Sequence, residues 1–333
     1  MFFRSMKQIA IGVVLAAASV TVAQAETVVL AGNPPGSLFN SMSNAIAATV
    51  TKHSDLKVDV LPQGGTVYYP MMATKEVDFG LVNPFDAFSA YQGDAPYDKV
   101  SNGKGFAMRT IMLGSPIRLS LVTTKGAGIN SIADLKGKRV VANYGAFASA
   151  GLTANAALAI GGLTVGDVEV VTVSSYPAGV RAVIEGRADA AVGSIGSGII
   201  RELDAAKGAK MIPLSKSPEA LARARKFGGA WQFITVKPGL PGVDAEMTAL
   251  SYEIPIVARE SLSDDAAYKF TKTVWEHHKE LRRVFKPLAT WTPNRYASTK
   301  AVIPYHPGAI KFYREQGVWP LELEKYQNAL LAK

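Results

Sequence analysis

The groups in this chain whose types and spacing suit chemistry are hydroxyls and amides set in Gly- and Pro-rich turns. They are Asn33 and Ser37 in Gly32-Asn33-Pro34-Pro35-Gly36-Ser37, Thr66 after Gly64-Gly65, and Asn83 and Asp86 around Pro84-Phe85. A second set is Asn143 and Ser149, flanking Tyr144-Gly145-Ala146-Phe147-Ala148, and Ser194 within Gly193–Ser197. Most of these turns sit between an apolar run that reads as a strand and a helical pattern. In an open α/β sheet, such turns lie beyond the carboxyl ends of the strands, where ligands bind. The free N–H groups of a helix start favour an anion by roughly 0.3–2 kcal/mol. The chemistry on offer is reversible capture of a small acid, with Ser37, Thr66 and Ser149 as donors. Plain helix capping accounts for the same residues, because Ser and Thr are favoured at N-caps. Leu38, Phe39, Gly65, Tyr68, Tyr69, Phe85, Tyr144, Phe147 and Ala148 stand at or near these turns. The aromatics among them suit either a cleft wall or the core.

Covalent chemistry finds little material. With no Cys, thiolate metal sites, Cys nucleophiles and disulfide scaffolds are excluded. His277 and His278 are neighbours on a helix and point roughly 100° apart, so simple spacing gives them no shared metal. His53 follows a surface Lys, and His306 lies between Tyr305 and Pro307, neither within a partner motif. There is no Gly-x-Ser-x-Gly and no Walker-type phosphate loop, and Gly126-Ala127-Gly128 reads as a loop. Asp264 and Asp265 read as first-turn helix charges. Arg118 suits a carboxylate partner or an exposed position. The expectation is a protein that is not an enzyme, with no metal and no cofactor.

The 333 residues carry 36 Lys+Arg against 27 Asp+Glu, a net charge of +9 spread without a dense basic block, which argues against nucleic acid as a partner. Hydrophobic residues at 48% and charged residues at 19% exclude a disordered chain. The length favours two lobes over one core. The opening Met1–Lys7 is short and basic, Ile9–Val22 is apolar, and Ala23-Gln24-Ala25 is a small-x-small cleavage pattern. This is the order of a secretory signal peptide. The apolar run is shorter than the roughly 20 residues that span a bilayer. Cleavage after Ala25 removes Arg4 and Lys7 and lowers the net charge from +9 to +7. No Cys follows the cut to carry a lipid, and no later stretch is long and apolar enough to span a membrane. The expectation is an exported, periplasmic monomer.

The elements that must position the turns alternate. Thr27–Ala31, Lys57–Leu61 and Asp78–Val82 read as strands, with Leu38, Met42, Ala45, Ile46 and Val50 on one helical face between the first two. The same order returns with strands at Arg139–Ala142, Val168–Val173 and Ala188–Gly193 and helices near Phe147–Ile160 and Pro177–Glu185. This βαβα order implies a mainly parallel sheet. Val28 to Asp78 spans 50 positions and Val140 to Asp189 spans 49, an internal repeat offset by about 111. The tail, with Ser263 capping a long helix and Pro307 opening the last one, is expected to return to the first lobe. The lobes are then 26–123 plus 236–333 and 124–235, with crossings near Leu121–Lys125 and Phe233–Lys237. The basic cluster Lys279–Lys286 suits a solvated helix end.

Four segments carry a family resemblance: Gln63-Gly64-Gly65-Thr66-Val67, Lys75–Asn83, Ile132–Val140 with its Asp-Leu-Lys-Gly-Lys-Arg-Val run, and Tyr305–Tyr313 with His-Pro-Gly-Ala-Ile. The chain resembles the TAXI family, the extracytoplasmic substrate-binding proteins of one branch of TRAP transporters, over nearly its whole mature length. The resemblance implies an α/β two-lobed type II periplasmic-binding-protein fold with a hinge and an interlobe cleft. It also implies delivery of a small organic acid to a TRAP membrane permease. It places the ligand at Asn33–Asn40, Gly64–Thr66, Asn83–Asp86 and Asn143–Ser149. Two loops depart from the family: the first is Asn33-Pro34-Pro35-Gly36-Ser37 in place of a Gly/Thr-rich stretch, and Gly145-Ala146-Phe147-Ala148-Ser149 replaces Gly-Ser-Gly-Thr. Phe147 and Ala148 point away from glutamate, towards an acid with an apolar or aromatic body. The alternatives are an ABC-importer receptor for a sulfonate, nitrate or thiamine-precursor ligand, a sensor subunit of a membrane signalling system, and an enzyme on the same fold.

Overall fold

The computed structural model describes residues 25–332. The signal segment and its cleavage pattern therefore lie outside the described residues, save Ala25. In chain order the strands and helices are β1 (Glu26–Ala31), α1 (Leu38–His53), β2 (Leu56–Leu61), α2 (Gly65–Ala73), β3 (Phe79–Leu81), α3 (Pro84–Gln92), β4 (Met108–Pro116), β5 (Leu119–Thr124), β6 (Arg139–Asn143), α4 (Ala148–Ile160), β7 (Glu169–Thr172), α5 (Tyr176–Ile184), β8 (Ala191–Ser194), α6 (Gly198–Lys207), β9 (Ala209–Met211), α7 (Pro218–Arg225), β10 (Gln232–Val236), β11 (Met247–Ser251), β12 (Glu253–Arg259), α8 (Asp264–Glu276), α9 (His278–Val284), α10 (Pro293–Tyr296), α11 (Pro307–Glu315) and α12 (Leu321–Leu331).

Two sheets divide them. The first runs β2-β1-β3-β12-β4 and the second β10-β11-β5-β8, with β9 also paired to β5. β6 and β7 form a short parallel pair, joined to the second sheet through a bridge from Val140 to Ala190. Between the named strands, parallel pairing is found in the βαβ units: β1 with β2 and β3, and β6 with β7. The strands that pass between sheets, and those that return, pair antiparallel. The sheets are thus mixed rather than mainly parallel, because the strand order of a βαβ unit says nothing about strands that arrive from the other lobe.

Chain crossings lie at Pro116–Leu119 and Ser251–Glu253, where β4 gives way to β5 and β11 to β12. The Ile117 N–H donates to the Tyr252 carbonyl at 2.9 Å and ties the two crossings together. The crossings expected near Leu121–Lys125 and Phe233–Lys237 fall on β5 and β10 instead, since β5, β10 and β11 look like any buried strand until their partners are known. In the tail, Phe270 of α8 stacks on Phe79 of β3 at 4.2 Å between ring centres. A helix beyond the one expected to be last, α12, follows.

The internal repeat has a physical basis. Asp78 takes the Val29 N–H on its carboxylate at 2.8 Å and donates its own N–H to the Val29 carbonyl at 3.0 Å. Asp189 treats Arg139 the same way, at 2.8 and 2.7 Å. Each Asp starts a strand by holding the strand beside it. Among the described residues no helix is long and apolar enough to cross a membrane.

Candidate ligand-binding site

Four helices begin at one place between the sheets. Ser37, Leu38 and Phe39 come from the start of α1, Asn83 from the cap of α3, Ser149 and Ala150 from the start of α4, and Tyr176 from the start of α5. With Asn33, Thr153, Val192, Ser194 and the crossing residues Ile117, Leu119 and Tyr252, they line a cavity with about 60 Å³ of space for water centres. No lining side chain is charged. Polarity comes from hydroxyls, amides and helix N-termini, whose first N–H groups lack intrahelical partners. These are the groups that receive an anion without a counter-ion.

Each position has a local cause. Asn33 sits at φ 51, a left-handed backbone that Asn tolerates, and its carbonyl is held by the Asn40 amide at 3.0 Å. The Ser37 hydroxyl accepts from the Asn40 N–H at 3.1 Å and donates to the Pro34 carbonyl at 2.7 Å, so capping uses it fully. Asn83 Oδ1 accepts from the N–H groups of Phe85 and Asp86 at 2.9 and 3.3 Å. The Tyr176 hydroxyl accepts from the Ser194 N–H at 2.8 Å and lies 3.0 Å from Ser197 Oγ. Burial pushes the Tyr176 phenol up to about 12. Ser194 Oγ is fully buried and has no hydrogen-bond partner.

Eight of the fifteen site residues expected from sequence reach the cavity: Asn33, Ser37, Leu38, Phe39, Asn83, Phe147, Ser149 and Ser194. The other seven take nearby places. Thr66 Oγ1 donates to the Ala146 carbonyl at 3.0 Å, a bond from one lobe to the other. Gly65 covers Asp86, and a Cβ at Gly65 would stand 2.5 Å from Asp86 Oδ2. Asp86 is buried and accepts from the Tyr97 hydroxyl at 2.6 Å; loss of hydration raises its carboxyl to about 6. Phe85 packs against Trp231 at 4.6 Å between ring centres. Asn143 is exposed and accepts from the Gly145 N–H at 3.2 Å. Tyr144 is in the core, its hydroxyl taking the Val192 N–H at 2.8 Å, and burial raises its phenol. Ala148 opens α4 beside the cavity lining.

Sequence reasoning missed Ile117, Leu119, Ala150, Thr153, Tyr176, Val192 and Tyr252. Ile117, Leu119 and Tyr252 belong to the crossings, so correct crossings would have found them. Thr153 lies one helical turn after Ser149 and could have been reached by counting. Arg118, in the crossing between two lining residues, is not part of the cavity lining, and burial lowers its guanidinium.

The lobes touch around this cavity. The Ile199 N–H donates to the Gly36 carbonyl at 3.2 Å. A Cβ at Gly64 would come within 2.6 Å of the Ala146 carbonyl oxygen and 2.7 Å of the Phe147 ring. These contacts join the lobes beside the cavity.

The NMT1-like family model matches residues 31–317, and the chain belongs to that family. The fold is that of known binding proteins. PhnD1 from Prochlorococcus marinus (MIT 9301), solved in complex with methylphosphonate, is 14% identical, with 88% of this chain and 99% of that one covered at a TM-score of 0.53. A protein from Bordetella bronchiseptica RB50 is 15% identical over 89% of this chain and 99% of its own, at 0.52. A binding protein component of an ABC phosphonate transporter from Pseudomonas aeruginosa is 15% identical over 91% and 98%, at 0.51. At these identities the likeness is one of fold. The two-lobed binding-protein fold expected from sequence is therefore shown, while the expected TAXI membership is not supported by these matches.

Proposed function

We propose that this NMT1-like chain is an exported substrate-binding receptor that captures a small anion between its lobes and passes it to a membrane importer. The observation that carries this reading is the cavity where four helices begin, lined without a charged side chain and containing the orphan Ser194 hydroxyl. Such a site holds a compact acid through N–H groups and hydroxyls. Its body packs on Phe39, Leu119, Phe147 and Val192. The cavity is small, which favours a short carboxylate, phosphonate or sulfonate over a large one. Binding stabilises the closed arrangement, and no covalent step is needed.

The importer is proposed to be of the ABC type, as in the phosphonate-transporter relative. The Gln63–Val67 and Tyr305–Tyr313 segments favour the second reading, a TRAP permease driven by an ion gradient. The receptor is proposed to act as a periplasmic monomer. Uptake of radiolabelled ligand by cells with and without this chain tests the reading. Uptake that needs the chain and fails on ATP depletion supports the ABC reading; failure on ion-gradient collapse alone supports the TRAP reading. Uptake indifferent to the chain, for every acid that it binds, would overturn both.

A further inference from the structure

Far from the cleft, three metal-ligating side chains distant in sequence meet. They are His53 at the end of α1, His277 at the C-cap of α8 and Glu280 in α9. One donor atom from each lies within 4.8 Å of the other two. His53 Nε2 is 2.7 Å from Glu280 Oε2, and the two imidazoles stack at 3.7 Å with 8° between their planes. All three are half-buried. The backbone break at His277 (φ −104, ψ 15) parts α8 from α9 and sets its ring against His53. His278 instead places Nδ1 2.7 Å from the Trp275 carbonyl.

An ion-pair network accounts for only two of the three groups: Glu280 holds Lys52 through Oε1 at 2.6 Å and His53 through Oε2 at 2.7 Å, which leaves His277 unexplained. The His277 ring makes no hydrogen bond to Glu280, yet it lies face to face with the His53 ring. A cation bound by neutral imidazole nitrogens and a carboxylate uses all three groups at once.

We propose that His53, His277 and Glu280 form a site for a borderline divalent transition-metal ion of the zinc class, with solvent completing the coordination. At metal–ligand distances of about 2.0–2.2 Å, tetrahedral donors stand about 3.4 Å apart. The His53–Glu280 contact must then open by less than about 1 Å, and the rings must fan apart by side-chain rotation. Two imidazoles and one carboxylate disfavour calcium and magnesium, which take mostly oxygen ligands. Lys52 keeps Oε1 and becomes an outer partner of the ligating carboxylate. The ion would tie the end of α1 to the α8–α9 pair. The site is at the opposite end of α1 from Ser37, about 24 Å of helix away, so it is independent of ligand capture.

Zinc titration of untagged, EDTA-stripped full chain against a chromophoric indicator at about pH 7.5, where free imidazole is mostly neutral, tests this. The expected result is one equivalent bound with a rise in melting temperature. His277→Ala and Glu280→Gln each weaken binding at least tenfold, and His278→Ala leaves it unchanged. Binding no tighter than about 0.1 mM, or the same equivalent retained in folded Glu280→Gln and His277→Asn chains, would overturn the proposal. The Gln and Asn variants keep a polar side chain, so a loss of binding with unchanged circular dichroism reads as a lost ligand.

Discussion

Thr66 donates its hydroxyl to the carbonyl of Ala146 at 3.0 Å, a bond from the first lobe to the second beside the cavity. A hydrogen bond adds only about 0.5–1.5 kcal/mol net. With the Gly36–Ile199 contact as its companion, closure rests on small energies, so a bound ligand can decide it.

Gly64 makes a close approach to the second lobe in the closed form. Gly64→Ala leaves the first lobe unstrained, because the backbone there (φ −83, ψ 166) is open to any residue. The added methyl meets the Ala146 carbonyl oxygen and the Phe147 ring only when the lobes are shut. Ligand affinity is expected to fall at least tenfold, with melting temperature nearly unchanged. Calorimetric titration and small-angle scattering, which should show a more open average shape, check this.

Ser194→Ala removes a buried hydroxyl that has no partner in the empty cavity. The empty variant is expected to be as stable as the parent or slightly more so, since an unpaired buried polar group costs about 1–3 kcal/mol. Ligand binding is expected to weaken about tenfold, or 1.4 kcal/mol. Thermal melts with and without ligand separate the two effects.

How much of this could be read from the chain alone depends on distance in sequence. Ser37, Asn83 and Ser149 are legible because a turn after an apolar run announces itself within a few residues. The internal repeat is legible through Asp78 and Asp189, whose carboxylates hold the neighbouring strand in both lobes. Tyr252 is not legible, since its place depends on which sheet β11 joins. His53 and His277 are not legible either, because only the packing of α1 on α8 brings them together. Tyr144 sits at a ligand-type turn, yet the hydrogen bond from the Val192 N–H keeps it in the core.

Asp78 and Asp189 test the repeat. Asp78 is buried, grips the Val29 N–H and is paired with Arg259 at 2.9 Å. Asp78→Asn is expected to cost about 1–3 kcal/mol of stability. Arg139 holds the Asp189 carboxyl below its ordinary value. A depressed folded value means that its contribution is present above about pH 4 and is lost as pH falls through the folded value. Urea midpoints from neutral to acid pH should converge for Asp189→Asn and parent at the acid end.

Asp86 should act in the opposite sense. Its folded carboxyl is raised to about 6, against an ordinary value of 3.8. The fold then binds the proton more tightly than the unfolded chain. The stability this gives is complete below about pH 4 and is lost as pH rises through 6. The loss is about 3 kcal/mol at most, with Tyr97 still donating to the ionised group. Asp86→Asn is expected to flatten this part of the pH–stability curve, measured by urea unfolding.

The most direct measurement is a thermal-shift screen of the mature chain, freed of bound ligand, against short carboxylates, alkylphosphonates, sulfonates and amino acids. An acid at 100 times its Kd should add about 2.7 kcal/mol, a shift of several degrees. The same screen on Ala150→Leu, which fills the cavity from α4, should lose that shift while the empty protein stays folded. A parent stabilised by one class of small acid, with the effect absent in the variant, is the predicted result. No shift with any acid, or an equal shift in both proteins, would contradict a receptor that binds its ligand in this cavity.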